Sequence, residues 1–210
     1  MKSAKELYLR AILVQNDITF YHKQLSTVHH FGEKLRLITF CLTSLNIFRE
    51  SLQDFSFMLK EEKSLSAKVK SIRSKLNFIN HLRNKVSGHL DSEVVEKAVQ
   101  WAPSLFNEGS KSNVDFHITL FRKSLLESAI NSYLDSNGKQ KEFQTEIDLF
   151  YPPNSTTFLN YLRDLNIFSI EWLGDFASCV KEKIKFSSDE EMFELARFAG
   201  LLDFNLKAKT

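Results

Sequence analysis

The chain has 210 residues, enough to bury a sizeable core, and its 43% hydrophobic and 26% charged side chains are an ordinary globular balance. No apolar run reaches the ~18 residues of a membrane span, and Arg10 interrupts the stretch Leu9 to Val14, so neither a membrane protein nor a secretory signal is expected. The formal net charge is +2, and the two cysteines, Cys41 and Cys179, lie too far apart for a metal or redox motif, so free thiols in a reducing cytoplasm are expected.

With three prolines and six glycines among mostly helix-favouring residues, the chain reads as all-α. Ser3 and Glu6 form a capping-box pattern that opens a first helix running to about His29. Gly32 separates it from a second long helix, near Glu33 to Lys60. The third, Ser64 to about Gly88, has the clearest period: Val69, Ile72, Leu76, Ile79, Leu82, Val86 and Leu90 recur every three or four residues. Asp91-Ser92 reads as the N-cap of a shorter helix that ends at Trp101, before Pro103.

The polar stretch Asn107 to Asn113 is a loop, and a further helix spans about Asp115 to Tyr133. Residues Phe143 to Tyr151 alternate weakly, which predicts a short strand, and Pro152-Pro153 breaks the chain again. Two helices follow, Thr157–Lys185 with a possible interruption at Gly174, and Ser188–Phe204 opened by a Ser188/Glu191 capping box. The pattern divides the chain into a helical bundle over 1–135 and a mostly helical extension over 136–210 that packs on it. Nineteen phenylalanines spread along the chain read as bulky filler between helices.

Charge is segregated. Residues 1–62 carry +1 and residues 91–210 carry −6, whereas residues 63–90 hold Lys63, Lys68, Lys70, Arg73, Lys75, Arg83 and Lys85 and no acid. Such a segment suits a phosphate backbone, although a solvated helix face balanced by the acidic C-terminal half would look the same. At the end of this segment stands Arg83-Asn84-Lys85-Val86-Ser87-Gly88-His89. On a regular helix Arg83 and His89 flank Val86, about 60° to either side, and Arg83 follows Ile79 by one turn. An arginine and a histidine at a helix seam are costly to bury unless paired or used.

The pair could cleave RNA without metal. Histidine can move protons at the 2′-hydroxyl or the leaving oxygen, arginine can hold the scissile phosphate, and Asn84 can orient either. Alternatively, Arg83 pairs with an acid on a neighbouring helix, and Gly88-His89 is simply a helix C-terminus. The segment Leu82 to His89 resembles the motif of the HEPN superfamily, an arginine followed after four to six residues by a histidine, often with a polar residue directly after the arginine. Here five residues intervene and Asn84 fills the polar position.

The resemblance implies a bundle of long antiparallel helices that forms a homodimer through the motif helix, with Arg83, Asn84 and His89 of both copies in one cleft. It implies metal-independent endoribonuclease activity without a cofactor, in a toxin–antitoxin, phage-defence or RNA-processing setting, with an antitoxin or other regulatory protein as a possible partner. A family subgroup carries a tyrosine two residues after the histidine. Asp91 stands there, so regulation by modification at that position is not expected.

Lys75, His81 and Lys85 are the candidates for steering RNA. His22, His29 and His30 lack carboxylate or cysteine companions at ligand spacing, so no metal site is expected. Trp101, Tyr151, Tyr161 and Trp172 could stack on bases but fit core positions better. Two other readings remain: a non-catalytic RNA-binding or protein-interaction module, and a helical adaptor whose basic segment docks an acidic partner.

Overall fold

The structure, a computed structural model, describes residues 2–88, 91–108 and 113–199. Seven α-helices account for most of them: α1 (Ala4–Thr27), α2 (Phe31–Glu61), α3 (Lys63–Arg83), α4 (Ser92–Trp101), α5 (Val114–Asn131), α6 (Pro152–Lys181) and α7 (Asp189–Ala199). The fold is therefore all-α. None of the described helices is long and apolar enough to cross a membrane.

The local signals account for most helix ends. Ser3 and Glu6 close the capping box of α1, His30 caps α2 by accepting from the Glu33 N–H, and Asp91 caps α4 by accepting from Glu93 and Val94. Ser188 and Glu191 likewise exchange bonds at the start of α7. The prolines act differently from expectation. Pro152 and Pro153 occupy the first turn of α6, where a missing N–H costs nothing, so they start that helix about five residues before the predicted Thr157.

Two glycines also serve packing instead of interruption. Gly32 lies inside the first turn of α2, where an added Cβ would stand 2.7 Å from the Thr119 hydroxyl of α5. Helix α6 runs through Gly174, where a Cβ would stand 2.8 Å from the Gln15 amide nitrogen of α1. That amide donates to the Ile170 carbonyl at 2.9 Å.

Helix α1 packs on α2 and α6, α2 packs on α3, and α4 packs on α5. One buried cluster joins them, and residues beyond 135 contribute to it through Ile147, Leu149, Phe158 and the inner face of α6. Its centre is aromatic. Trp172 lies parallel to Phe176 at 5.3 Å, meets Phe48 at 5.3 Å, and donates its indole N–H to the Leu65 carbonyl at 3.0 Å. Phe78 makes a second aromatic centre with Tyr133, Phe143 and Tyr161. Filler accounts for only part of the phenylalanine content: Phe48, Phe55, Phe78, Phe158 and Phe176 are buried, but Phe106, Phe193 and Phe198 are more than 60% exposed.

The strand expected at 143–151 does not form, because its backbone is satisfied by helix side chains. The Asn131 amide donates to the Ile147 carbonyl at 3.0 Å and accepts from the Ile147 N–H at 2.8 Å, which is the bonding pattern of a strand neighbour. Glu127 accepts from the Leu149 N–H at 2.6 Å. The alternation that predicted a strand is real, since Ile147 and Leu149 are buried, but it is read by α5. Glu127 itself is buried, which raises its pKa, and the Lys123 ammonium 2.8 Å away opposes that rise. Cys41 is buried and donates to the Asn166 side-chain oxygen at 3.2 Å; burial pushes its thiol up to about 12, so it is inert, and both cysteines are free.

Trp172→Ala should lower unfolding free energy by about 3–5 kcal/mol in urea titrations, through lost packing and the lost bond to the Leu65 carbonyl. Asn131→Ala should cost about 1–3 kcal/mol and should raise amide exchange selectively at Ile147, measured by hydrogen–deuterium exchange.

Candidate functional site

The apolar stripe of α3 sets the orientation of every charge on it. Ile72, Leu76, Ile79 and Leu82 are buried as the period predicts, and Phe78 is buried as well, so the helix is enclosed over a wide arc. Among the residues left open or half-buried, Ser66, Lys70, Arg73, Asn77, Asn80 and Asn84 follow one another as a strip along one face at intervals of three or four residues. From Ser66 to Asn77 the strip borders α2.

At its end the helix changes form. Asn84–Gly88 is a π-helical turn, and the Asn84 N–H is shared between the carbonyls of Asn80 and His81. Such turns are rare and are frequent at functional sites. The widening changes the angular offset between Arg83 and Val86 from the ~60° expected of a regular helix. Val86 nevertheless packs on the core, beside Leu35 and Thr39 of α2 and Phe121 of α5. The Ser87 hydroxyl is buried without a hydrogen-bond partner.

Arg83 is partly buried, and its Nη1 donates to the Asn84 side-chain oxygen at 3.2 Å. The Asn84 amide in turn reaches the Asn80 side-chain oxygen at 3.5 Å. Among the described residues Arg83 makes no ion pair, so the acidic partner considered above is not there. His89 lies outside the described residues.

The three residues expected to steer RNA are all engaged elsewhere. The Lys75 ammonium lies 5.6 Å from the ring centre of Tyr161 on α6. Lys85 pairs with Asp91 at 2.6 Å, and this bond holds the Asp91 carboxyl below the usual carboxylate range. It also ties together the two flanks of the segment that contains His89. The His81 Nε2 lies 3.0 Å from the Ala129 carbonyl and 3.1 Å from the Ser132 hydroxyl, closing the C-terminus of α5, and its ring packs on Tyr133 at 5.0 Å. Burial lowers the His81 pKa, and the bond to Ala129 partly opposes this.

The sequence reading missed what lies across the open strip. Helices α2 and α3 enclose a depression of 480 Å³ lined by Arg49, Glu50, Gln53 and Ser56 on one side and by Arg73 and Asn77 on the other. A second depression of 270 Å³ shares Leu52, Ser56 and Arg73 with it and adds Lys60 and Lys70. The two form one trough with Leu52, Leu59, Val69 and Leu76 as an apolar floor. Lys70 and Arg73 belong to the acid-free segment; Arg49 and Lys60 are on α2, and no local sequence signal links them to it.

Other candidates resolve structurally. His30 serves as a helix cap, and among the described residues no three His, Cys, Asp or Glu side chains converge. Trp172 and Tyr161 pack in the core, whereas Trp101 and Tyr151 are about half exposed, against the expectation that all four fit core positions. Comparisons with family models, with curated proteins and with solved structures find no match to this chain.

The lowered His81 pKa fixes the sign of a pH effect. Its folded value lies below the ordinary ~6.5, so its contribution to stability is present above that value and is lost as pH falls through the folded one. The urea midpoint of the wild-type protein should therefore fall more steeply on acidification from about pH 7.5 to pH 5 than that of His81→Gln. Equal slopes would assign the acid sensitivity to other groups.

Proposed function

We propose that the protein is a metal-independent endoribonuclease of the HEPN type, with Arg83, Asn84 and His89 of two copies forming one cleavage site. The observation that carries this reading is the contact between Arg83 and Asn84 at the start of a π-helical turn, with a guanidinium that no carboxylate neutralises among the described residues. Two donors of that guanidinium can grip one phosphate while Asn84 holds its plane. His89 of one copy would take the proton from the ribose 2′-hydroxyl. That oxygen would bond to phosphorus, the bond to the 5′-oxygen would break, and the second copy's His89 would protonate the leaving oxygen. The products are a 2′,3′-cyclic phosphate and a 5′-hydroxyl, with no water, metal or cofactor consumed. Arg83 would offset the negative charge gathering on the phosphoryl oxygens. Toxin, defence or RNA-processing roles, with an antitoxin-like regulator in the first, are the settings in which such an activity needs control.

A non-catalytic RNA-binding module is the second reading, favoured by the cations of the trough, which stand apart from Arg83 along α3. One experiment separates the two. Purified protein incubated with structured and unstructured RNA in EDTA should leave 2′,3′-cyclic phosphate ends, and Arg83→Ala/His89→Ala should lower the rate at least about 100-fold. Binding that weakens with salt and yields no product would select the module instead. An equal rate from the double variant would remove the catalytic assignment.

A further inference from the structure

Resting on the RNA reading above, we infer that the trough between α2 and α3 is the track for the RNA backbone leading to Arg83, with Arg49, Lys60, Lys70 and Arg73 as its phosphate-binding cations. The gathering of four unpaired cations on one trough is the first ground. Lys68 is paired with Asp175, Lys85 with Asp91, Lys123 with Glu127, and Lys183 with Glu61. Among the described residues, Arg49, Lys60, Lys70 and Arg73 have no ion pair, although all four border one trough. Among the described residues lining it the only acid is Glu50, an exposed side chain whose carboxylate accepts from the Asn46 amide at 2.8 Å. Four cations against one carboxylate leave the trough positive along its length.

Geometry is the second ground. From Ser66 to Asn77 the α3 wall is about 17 Å long at 1.5 Å per residue, the length of a run of nucleotides and not of one small anion. The wall does not stop at Asn77. Asn80 and Asn84 continue the same face at one-turn intervals, and the last of them touches Arg83. Amide side chains can both donate to phosphate oxygens and accept from ribose hydroxyls, so the strip is polar and uncharged where the cations end. Leu52, Leu59, Val69 and Leu76 give the floor, and no aromatic ring lines the trough among the described residues. Without a stacking platform, backbone charge carries the binding. The track should be indifferent to base identity and steeply sensitive to salt.

The RNA contacts thus lie on a different face of α3 from the one expected. Lys75, His81 and Lys85 share the acid-free segment, but each is turned to another partner, Tyr161, the end of α5, or Asp91. Arg49 and Lys60 join the site from α2.

The test uses the full chain and a short fluorescein-labelled 2′-O-methyl oligouridylate, which lacks the attacking hydroxyl and so reports binding alone. Arg49→Gln/Arg73→Gln should raise Kd roughly ten-fold near physiological salt and reduce the slope of log Kd against log salt by about 1.4, two phosphates at about 0.7 each. Lys60→Gln/Lys70→Gln, at two exposed positions of the other end, should behave similarly and keeps the test decisive if replacing Arg49 disturbs folding. Lys5→Gln/Lys23→Gln removes the same charge from α1 and should change Kd less than two-fold. Wild-type binding that neither trough variant weakens would overturn the track while leaving the endoribonuclease reading intact. A wild-type protein that neither binds this probe nor cleaves RNA would overturn both. Displacement of the probe by polyglutamate at lower concentrations than by unlabelled RNA would make the trough a dock for an acidic protein and would also overturn the assignment.

Discussion

The burial of α3 governs the rest of the molecule. Ile72, Leu76, Ile79 and Leu82 must leave water together, and Phe78 extends the buried arc toward Tyr133 and Tyr161. A helix fixed over so much of its circumference cannot rotate about its axis, so the position of each lysine and arginine along it is decided by the apolar residues between them. Of the seven cations that look equivalent in the sequence, five therefore divide into two populations. One is neutralised by or packed on α4 and α6, and the other borders an open trough with α2.

The same rigidity gives the motif turn its character. Helix α3 arrives with His81 held to the C-terminus of α5, and within the π-helical turn Lys85 is held to Asp91, the cap of α4. Between these anchors the chain has to bring Val86 onto the core, and a wider turn accommodates one more residue than a regular helix would. Arg83 stands at the near edge of that turn with the Asn84 amide beside it. An arginine with no carboxylate beside it among the described residues keeps its charge available to an incoming anion, which distinguishes it from Lys85 two residues later.

Outside the core, apolar groups are left where a partner could meet them. Helix α7 has no buried residue, and Met192, Phe193, Leu195 and Phe198 are exposed along it. Trp101, Phe106, Val114 and Phe116 expose apolar surface around α4 and the start of α5. The nineteen phenylalanines thus divide between a tightly packed aromatic centre and the surface, and composition alone gives no way to tell which does which.

What the sequence determined by itself was local. The all-α class, the capping boxes of α1 and α7, the Asp91 cap and the buried period of α3 all depend on contacts within a few residues, and each was legible from spacing. So was the acid-free segment ending in Arg83 and Asn84. Only the tertiary structure decided what those features face. The alternation at Ile147 and Leu149 read as a strand because a strand and a side-chain-satisfied loop bury the same residues; the difference lies in Asn131 and Glu127, more than fifteen residues away. Pro152 and Pro153 read as a break because proline ends helices and begins them with equal ease. Likewise Arg49 and Lys60 joined Arg73 and Lys70 only when α2 was laid against α3. Charge acts through space, and sequence spacing measures that space only within a single helix.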